Sequence, residues 1–72
     1  MSSFKERLKE LRNQKKLTQK QIAELLNITE RGYREYEIGN STPNFERFVF
    51  LIDLFDVSAD YLLARSNDPV KH

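Results

Sequence analysis

The chain has 72 residues, enough for one small domain but too few for two independent cores or for most cofactor-binding enzyme folds. With no cysteine and a single histidine at the C-terminal position, it has no disulfide or thiolate chemistry, and we expect no metal site. Apolar residues at 39% and charged residues at 32% are typical of a folded, water-soluble chain. The longest apolar run, 48–52, is too short to span a bilayer, and we expect no signal peptide.

The net charge of +1 hides an uneven distribution. Residues 1–34 carry nine Lys or Arg against four Glu, a net charge of +5, whereas residues 35–72 carry three basic and seven acidic groups, a net charge of −4. A positive half is typical of a surface that binds a polyanion. Ordinary solvated helix faces account for the same asymmetry, so charge alone does not decide between the two.

Helix signals begin at the N-terminus. Apolar residues recur at helical spacing and predict a first helix over residues 3–15. Thr18 and Gln21 form a capping box, in which each side chain satisfies a free amide of the other residue's turn. A second helix therefore starts there and runs to about residue 26. Asn27 follows it and predicts its end, because asparagine tolerates the left-handed conformation that closes helices.

A third helix and a loop follow in the middle of the chain. Thr29 is the predicted N-cap of a helix over residues 30–38, and Gly39 ends it. In the loop that follows, Thr42 is the predicted N-cap of the next helix. Pro43 takes the first helical position, where its missing N–H costs nothing.

The C-terminal part predicts two further helices. The fourth covers residues 44–55 and is closed by Asp56, while Ser58 caps a short fifth helix that runs to about residue 64. The polar tail 65–72 is expected to fray. With no strand pattern, the chain is predicted to be an all-α, compact five-helix domain over residues 1–64, followed by the tail.

The fourth helix carries more apolar residues than one face can use. A single stripe is enough for the core, and it comprises Phe45, Phe48, Leu51, Ile52 and Phe55. We expect the excess to be covered by a second copy of the chain, through Val49, Phe50, Leu54, Val57, Ala59 and Tyr61. Coverage by the fifth helix and the tail of the same chain is the alternative.

The second helix, the short turn at Asn27 and the third helix have the spacing of a helix-turn-helix. The segments FKERLKELR, LTQKQIAELLNIT and VSADYLL, with Tyr36-Glu37, Gly39 and Pro43 between them, occur in the order found in one family. The chain resembles the Cro and phage-repressor type (XRE-like, lambda repressor-like) of that motif over about residues 4–63. This resemblance implies a five-helix domain that binds double-stranded DNA, usually as a dimer, and regulates transcription.

The resemblance makes the third helix the recognition helix, whose leading end enters the major groove. Its implied base contacts are Glu30, Arg31, Arg34 and Glu35. Arginine donates a bidentate pair to guanine, and glutamate accepts from the amino group of cytosine. The alternative is a solvated helix surface stabilised by Glu–Arg pairs at a spacing of three or four residues.

The resemblance also implies contacts to the DNA backbone. Gln19 stands at the start of the second helix, where free amides and the helix dipole favour a phosphate. Lys16 and Lys20 flank it and add affinity that does not depend on base sequence. Asn40 and Ser41 match the loop that touches the sugar-phosphate backbone in the family. Exposed polar residues without a ligand are the alternative for this set.

Arg12 and Glu37 match a pair that bridges the first and third helices in the family, and two unrelated surface charges are the alternative. Three features depart from the family pattern, and one is that Asn27 and Asp56 occupy joints where glycine is favoured. Gly32, inside the recognition helix, costs about 1 kcal/mol relative to alanine and either permits a closer approach to the groove or weakens the helix. Tyr33 replaces an inward aliphatic residue, and its hydroxyl needs a hydrogen-bond partner or an exit to solvent.

These observations predict a sequence-specific, double-stranded DNA-binding transcriptional regulator, acting as a dimeric repressor that occludes a promoter at a near-palindromic operator. We expect it in the cytoplasm, at the nucleoid, encoded by a prokaryote, phage or plasmid. No enzyme activity, cofactor, metal, membrane or small-molecule ligand is expected. The alternative is a protein-interaction module, an antitoxin-like or anti-repressor partner that uses the apolar face of the fourth helix.

Overall fold

The computed structural model describes residues 3–70, which form five α-helices and no strand. The helices are α1 (Phe4–Gln14), α2 (Gln19–Leu26), α3 (Glu30–Ile38), α4 (Phe45–Phe55) and α5 (Ala59–Leu62). The predicted all-α class is therefore confirmed. None of these helices is both long and apolar enough to cross a membrane. Within residues 3–70, no group of His, Cys, Asp or Glu side chains is arranged to hold a metal ion.

Local side-chain caps start the helices. Thr18, Thr29 and Ser58 each accept a hydrogen bond from the backbone N–H three residues later, as the sequence predicted. The prediction for α4 was wrong, because its N-cap is Asn44, which accepts from the amide of Arg47 at 2.9 Å. Thr42 and Pro43 precede the cap, since asparagine is a stronger N-cap than threonine and the helix begins after it.

Left-handed residues end three of the helices. Asn27 closes α2 at φ 59°, Gly39 closes α3 at φ 96° and Asp56 closes α4 at φ 54°. All three ends were predicted. The left-handed φ favours glycine at position 39, and a Cβ there would also lie 2.9 Å from Cδ of Lys5, so that flexible side chain would have to move aside.

The core joins all five helices of the described chain. α2 and α3 pack on each other, α1 packs on α3 and α5, and α4 packs on α5. The buried apolar residues are Leu8, Leu11, Ile22, Ala23, Leu26, Tyr33, Tyr36, Leu51, Phe55, Val57 and Leu62. This arrangement supports α3 on its inner side only, so the other side of that helix stays open.

The expected core stripe of α4 is correct except at its start. Phe45 is 80% exposed, although it was predicted to be buried. It is the first residue of α4, and the packing against α1 begins one turn later, where the ring of Phe48 lies 6.4 Å from that of Phe4. A second correction concerns Val57, which was predicted to contact a second copy but is only 4% exposed, within its own core.

A buried arginine ties the end of the chain to α1. Arg7 is 5% exposed, and its Nη1 donates to the carbonyls of Tyr61 at 3.1 Å and Ser66 at 3.2 Å. Its guanidinium lies 4.0 Å from the centre of the Tyr61 ring. The amide of Ser58 also donates to the carbonyl of Pro69 at 3.0 Å. The prediction of a frayed tail is therefore wrong for residues 66–69, and α5 ends at residue 62 rather than 64.

Candidate nucleic-acid interface

The turn between α2 and α3 is built from local signals. Asn27, in the left-handed conformation, reverses the chain, and its N–H donates to the Glu24 carbonyl at 3.1 Å. The amide of Ile28 donates to the Ala23 carbonyl at 3.0 Å, and Thr29 then caps α3. Two helices joined by so short a turn, and packed on each other, have the geometry of a helix-turn-helix.

The second helix of this motif has two different sides. Tyr33 and Tyr36 are buried at 0% and 6% exposure, with their rings in edge-to-face contact at 6.0 Å. The four predicted base contacts lie elsewhere on the helix: Glu30, Arg31 and Arg34 are exposed, and Glu35 is half-buried. The structure therefore brings these four side chains together on the accessible part of α3, with two aromatic rings anchoring the opposite side.

Three of the four charged side chains have partners within the chain. Arg34 donates to Glu30 at 3.4 Å, an exposed i,i+4 pair of the kind that the sequence left open. Asn40 donates from Nδ2 to Glu35 at 2.9 Å. Glu35, which is predicted to contact a base, and Asn40, which is predicted to contact the DNA backbone, are therefore hydrogen-bonded to each other. Arg31 forms neither a hydrogen bond nor an ion pair with the rest of residues 3–70. Its guanidinium donors therefore face solvent.

Gly32 has a local explanation. Its N–H donates to Oγ1 of Thr29 at 3.0 Å, which is the N-cap bond of α3. A Cβ at this position would lie 3.2 Å from the same oxygen, closer than an ordinary van der Waals contact. Glycine thus leaves room for the N-cap hydrogen bond to Thr29, although glycine has a low helix propensity.

The predicted ion pair between α1 and α3 is present. Arg12 donates from Nε to Oε2 of Glu37 at 2.6 Å and from Nη2 to Oε1 at 3.1 Å, and its Nη1 donates to the Leu17 carbonyl at 2.9 Å. Two further donors, which the sequence did not reveal, reach the same carboxylate. Gln19 donates from Nε2 at 3.1 Å, and the hydroxyl of Tyr33 donates to Oε2. The partner that the Tyr33 hydroxyl needed is therefore Glu37.

Protonation in this cluster follows from its contacts. Burial pushes the pKa of Glu37 upward, but the hydrogen bonds from Arg12, Tyr33 and Gln19 outweigh it and hold that pKa below its ordinary value. Burial, and then the hydrogen bond to Glu37, raise the pKa of Tyr33 far above its ordinary value. The hydrogen bond to Glu37 raises the pKa of Arg12. Near neutral pH the cluster is an anionic carboxylate held by one cation, a phenol and an amide.

The predicted backbone contacts flank the motif at both ends. Gln19 is half-buried as the first residue of α2, and Lys20 beside it is exposed. Lys16, exposed in the turn after α1, has the left-handed φ of 58°. Asn40 and Ser41 are exposed directly after α3.

Lys5 was not among the predicted contacts. Its Cδ packs on Gly39, and it lines a depression with Ser41 and Thr42, so it adds a positive charge beside the loop after α3. No periodicity signals this contact, because α1 and the loop meet only in the folded chain.

Comparisons with known proteins agree with this geometry. A family model described as a helix-turn-helix domain matches residues 5–67. The chain is 44% identical over 68 residues to the uncharacterized HTH-type transcriptional regulator YqaE of Bacillus subtilis (strain 168), covering 93% of this chain and 59% of that protein. It is 36% identical over 62 residues to the cryptic phage CTXphi transcriptional repressor RstR of Vibrio cholerae, covering 86% and 55%.

A solved structure is also similar. The crystal structure of a transcriptional regulator from Listeria innocua superposes with a TM-score of 0.83 at 33% identity, covering 92% of this chain and 62% of that one. The chain thus spans a little over half the length of the curated relatives described above. The matched family model, the relatives and the shared fold agree on one conclusion. The chain belongs to the helix-turn-helix family, in its Cro and phage-repressor (XRE-like) branch.

Proposed function

We propose that the chain is a transcriptional regulator that binds double-stranded DNA sequence-specifically through α3. The observation that carries this proposal is the open side of α3, where Arg31 has no partner among residues 3–70 while Tyr33 and Tyr36 anchor the helix from behind. An unpaired guanidinium on an accessible helix is suited to the two major-groove acceptors of guanine. Arg34 supplies a second such donor once its bond to Glu30 is broken. Breaking that bond costs little free energy because the pair is exposed.

The acidic residues have a matching role. Glu30 and Glu35 each accept from the amino group of cytosine, so the helix discriminates through donors and acceptors together. Asn40, which donates to Glu35 within the chain, belongs to the loop after α3 that is proposed to contact the DNA backbone. The proposed contacts to the phosphates and sugars are Gln19, Lys16, Lys20, Asn40 and Ser41.

We further propose that the regulator acts as a dimer that occludes a promoter. Phe50 is 41% exposed on α4, and the other residues of the proposed interface are partly exposed, namely Val49, Leu54, Ala59 and Tyr61. Val57 is withdrawn from this interface because the core contains it. A two-fold dimer through this patch presents two recognition helices to half-sites about 34 Å apart, hence to a near-palindromic operator in the cytoplasmic nucleoid. The relative RstR is named as a transcriptional repressor, which supports repression as the direction of regulation.

A second candidate function rests on the same helix. Phe45, which is 80% exposed, and Phe50 are large apolar side chains whose contact with water is unfavourable in an isolated domain. A protein-interaction module, such as an antitoxin-like or anti-repressor partner, would use them to bind another protein. The salt dependence of binding distinguishes the two functions, because phosphate contacts weaken steeply with salt and an apolar interface does not.

Selection of bound duplexes from a random pool tests the leading proposal. We expect one enriched half-site that recurs at a fixed spacing. The double variant Arg31→Ala, Arg34→Ala should lose the preference for that half-site while retaining weak binding. Lys16→Ala and Lys20→Ala should each weaken binding to all duplexes and reduce the salt slope by about one. A pool that shows no enrichment would refute the proposal.

A further inference from the structure

The carboxylate of Glu37 is saturated with hydrogen bonds. Its side chain is 4% exposed, and within residues 3–70 each of its oxygens accepts from two donors. Oε2 accepts from Arg12 and from the Tyr33 hydroxyl, whereas Oε1 accepts from Arg12 and from Gln19. A carboxylate offers about four acceptor sites, so all are occupied by protein. Since the donors come from α1, α2 and α3, this one group joins the three helices.

Tyr33 acts on the position of that carboxylate. Its ring is fully buried one turn before Glu37 on the same helix. A phenylalanine ring would fill the same space but leave Oε2 with one donor fewer, because only the hydroxyl reaches Glu37. Burial and this bond raise the pKa of Tyr33, so the phenol stays a donor at any pH of interest.

Glu37 in turn fixes the amide of Gln19. A carboxylate only accepts, so Gln19 turns Nε2 toward it, at 3.1 Å. That nitrogen carries two hydrogens, and the bond to Glu37 uses one. This bond decides which end of the amide faces the carboxylate, and it restricts the directions open to the second hydrogen. Gln19 is half-buried at the start of α2, where the free amides of the helix also favour a phosphate.

We propose that Tyr33 is a positioning residue for DNA binding: its hydroxyl holds the Glu37 carboxylate between Arg12 and Gln19, and so presents the second amide hydrogen of Gln19 to a backbone phosphate. Tyr33 itself does not touch DNA. This inference rests on the proposed function, in which Gln19 contacts the backbone.

A thermodynamic cycle on DNA affinity tests it. The Kd for the selected duplex is measured for the wild type, Tyr33→Phe, Gln19→Ala and the double variant, each shown by circular dichroism to be folded at the assay temperature. We expect Tyr33→Phe to weaken binding roughly three- to tenfold, the range of one net hydrogen bond. In the Gln19→Ala background the same change should cost less than about twofold, because the contact that it positions is gone. The salt slope should stay unchanged, since neither variant removes a cation.

Tyr36→Phe is the matched control. It removes a hydroxyl from the same helix, and within residues 3–70 that hydroxyl accepts one hydrogen bond, from Arg47 at 3.5 Å. We expect its Kd to remain within about twofold of the wild type. An equal loss for Tyr33→Phe with and without Gln19 would mean that Tyr33 only stabilises the fold, and it would overturn the inference while leaving the proposed function intact.

A measurement on the free wild-type protein needs neither DNA nor the variants. One side-chain amide proton of Gln19 should be shifted from its ordinary position in a ¹⁵N–¹H spectrum by the bond to Glu37, whereas both protons of exposed Gln14 should lie at the positions of a mobile amide. Signals from Gln19 that resemble those of Gln14 would overturn the positioning. A wild type that prefers no duplex would instead refute the proposed function.

Discussion

Nε of Arg12 in α1 lies 2.6 Å from Oε2 of Glu37 in α3, although 25 residues separate them in sequence. The two side chains are 11% and 4% exposed, so the pair is largely removed from water. A desolvated pair adds stability only where further hydrogen bonds complete it. Here Gln19, Tyr33 and the carbonyl of Leu17 provide those bonds. The orientation of α3 relative to α1 is thereby tied to one carboxylate.

Breaking this pair should destabilise the fold strongly. Arg12→Ala and Glu37→Ala should each lower the free energy of unfolding by roughly 3 kcal/mol or more, because each leaves a buried charge without its partner. Urea unfolding of the singles and the double variant gives the coupling, expected at roughly 1–3 kcal/mol. The exposed pair Glu30–Arg34, at 3.4 Å, is the internal control and should couple by less than about 0.5 kcal/mol. Equal coupling in the two cycles would show that the buried pair does not hold the helices together.

Stability should fall on the acid side because of Glu37. Its pKa is lower in the folded chain than its ordinary value, so the folded state resists protonation of this group. Its contribution is complete above the ordinary pKa of about 4.3 and is lost as the pH falls from there through the folded pKa. Thermal unfolding of the wild type and Glu37→Gln between pH 7 and pH 3 should therefore converge at the acid end. Glu10→Gln, a substitution at an exposed position of α1, is the control. The change in Tm between pH 7 and pH 3 should be the same in this variant as in the wild type. A difference in Tm between the wild type and Glu37→Gln that stays constant from pH 7 to pH 3 would contradict the lowered pKa of Glu37.

Arg7 should hold the C-terminal segment in place. Arg7→Met keeps much of the apolar stem but removes the bonds to Tyr61 and Ser66 and the contact with the Tyr61 ring. We expect a loss of about 2–3 kcal/mol in unfolding free energy, as for hydrogen bonds from a charged donor. Faster amide exchange at Ser58, which is bonded to Pro69, should accompany it. Lys9→Met on the exposed side of α1 is the control, and an identical exchange rate in both variants would show that the tail docks without Arg7.

The start of α4 distinguishes the structure from the sequence-based expectation. Asn44→Ala should cost about 1 kcal/mol, the usual value of an N-cap, because it removes the bond to the amide of Arg47. Thr42→Ala should change stability by less than about 0.5 kcal/mol, since Thr42 is exposed and outside the helix. Chemical denaturation of the two variants compares them directly. A larger effect at Thr42 would restore the cap that the sequence suggested.

The proposed dimer depends on Phe50 rather than on apolar exposure in general. Phe50→Glu should give a monomer in sedimentation equilibrium at micromolar concentration, because a charge at the centre of an apolar contact is costly to bury. Phe45→Glu is the matched control, since Phe45 is more exposed but lies outside the proposed patch. It should leave the association unchanged. A monomeric wild type, or dissociation caused equally by both variants, would count against this interface.

The sequence alone was sufficient for most features that depend on near neighbours, and the N-cap of α4 is the exception. Caps such as Thr18, Thr29 and Ser58 act on amides three residues away, and Asn27, Gly39 and Asp56 end helices through their own backbone conformation. Such interactions operate within one turn of the chain, so their patterns are legible before folding. The helix-turn-helix and the charges of α3 follow from the same local rules, together with the resemblance to a family.

Apart from the Arg12–Glu37 pair, which the family resemblance implied, only the tertiary structure decided which side chains meet across helices. The periodicity of α4 placed Phe45 in the core, yet the packing against α1 begins one turn later, at Phe48. Arg7 is charged, yet the carbonyls of Tyr61 and Ser66 and the ring of Tyr61 surround it in the folded chain. The full set of donors on Glu37 likewise comes from three helices. A helical pattern indicates the face of the helix on which a residue lies but not which residues pack against that face. Burial, hydrogen-bond partners and pKa values depend on those packed residues.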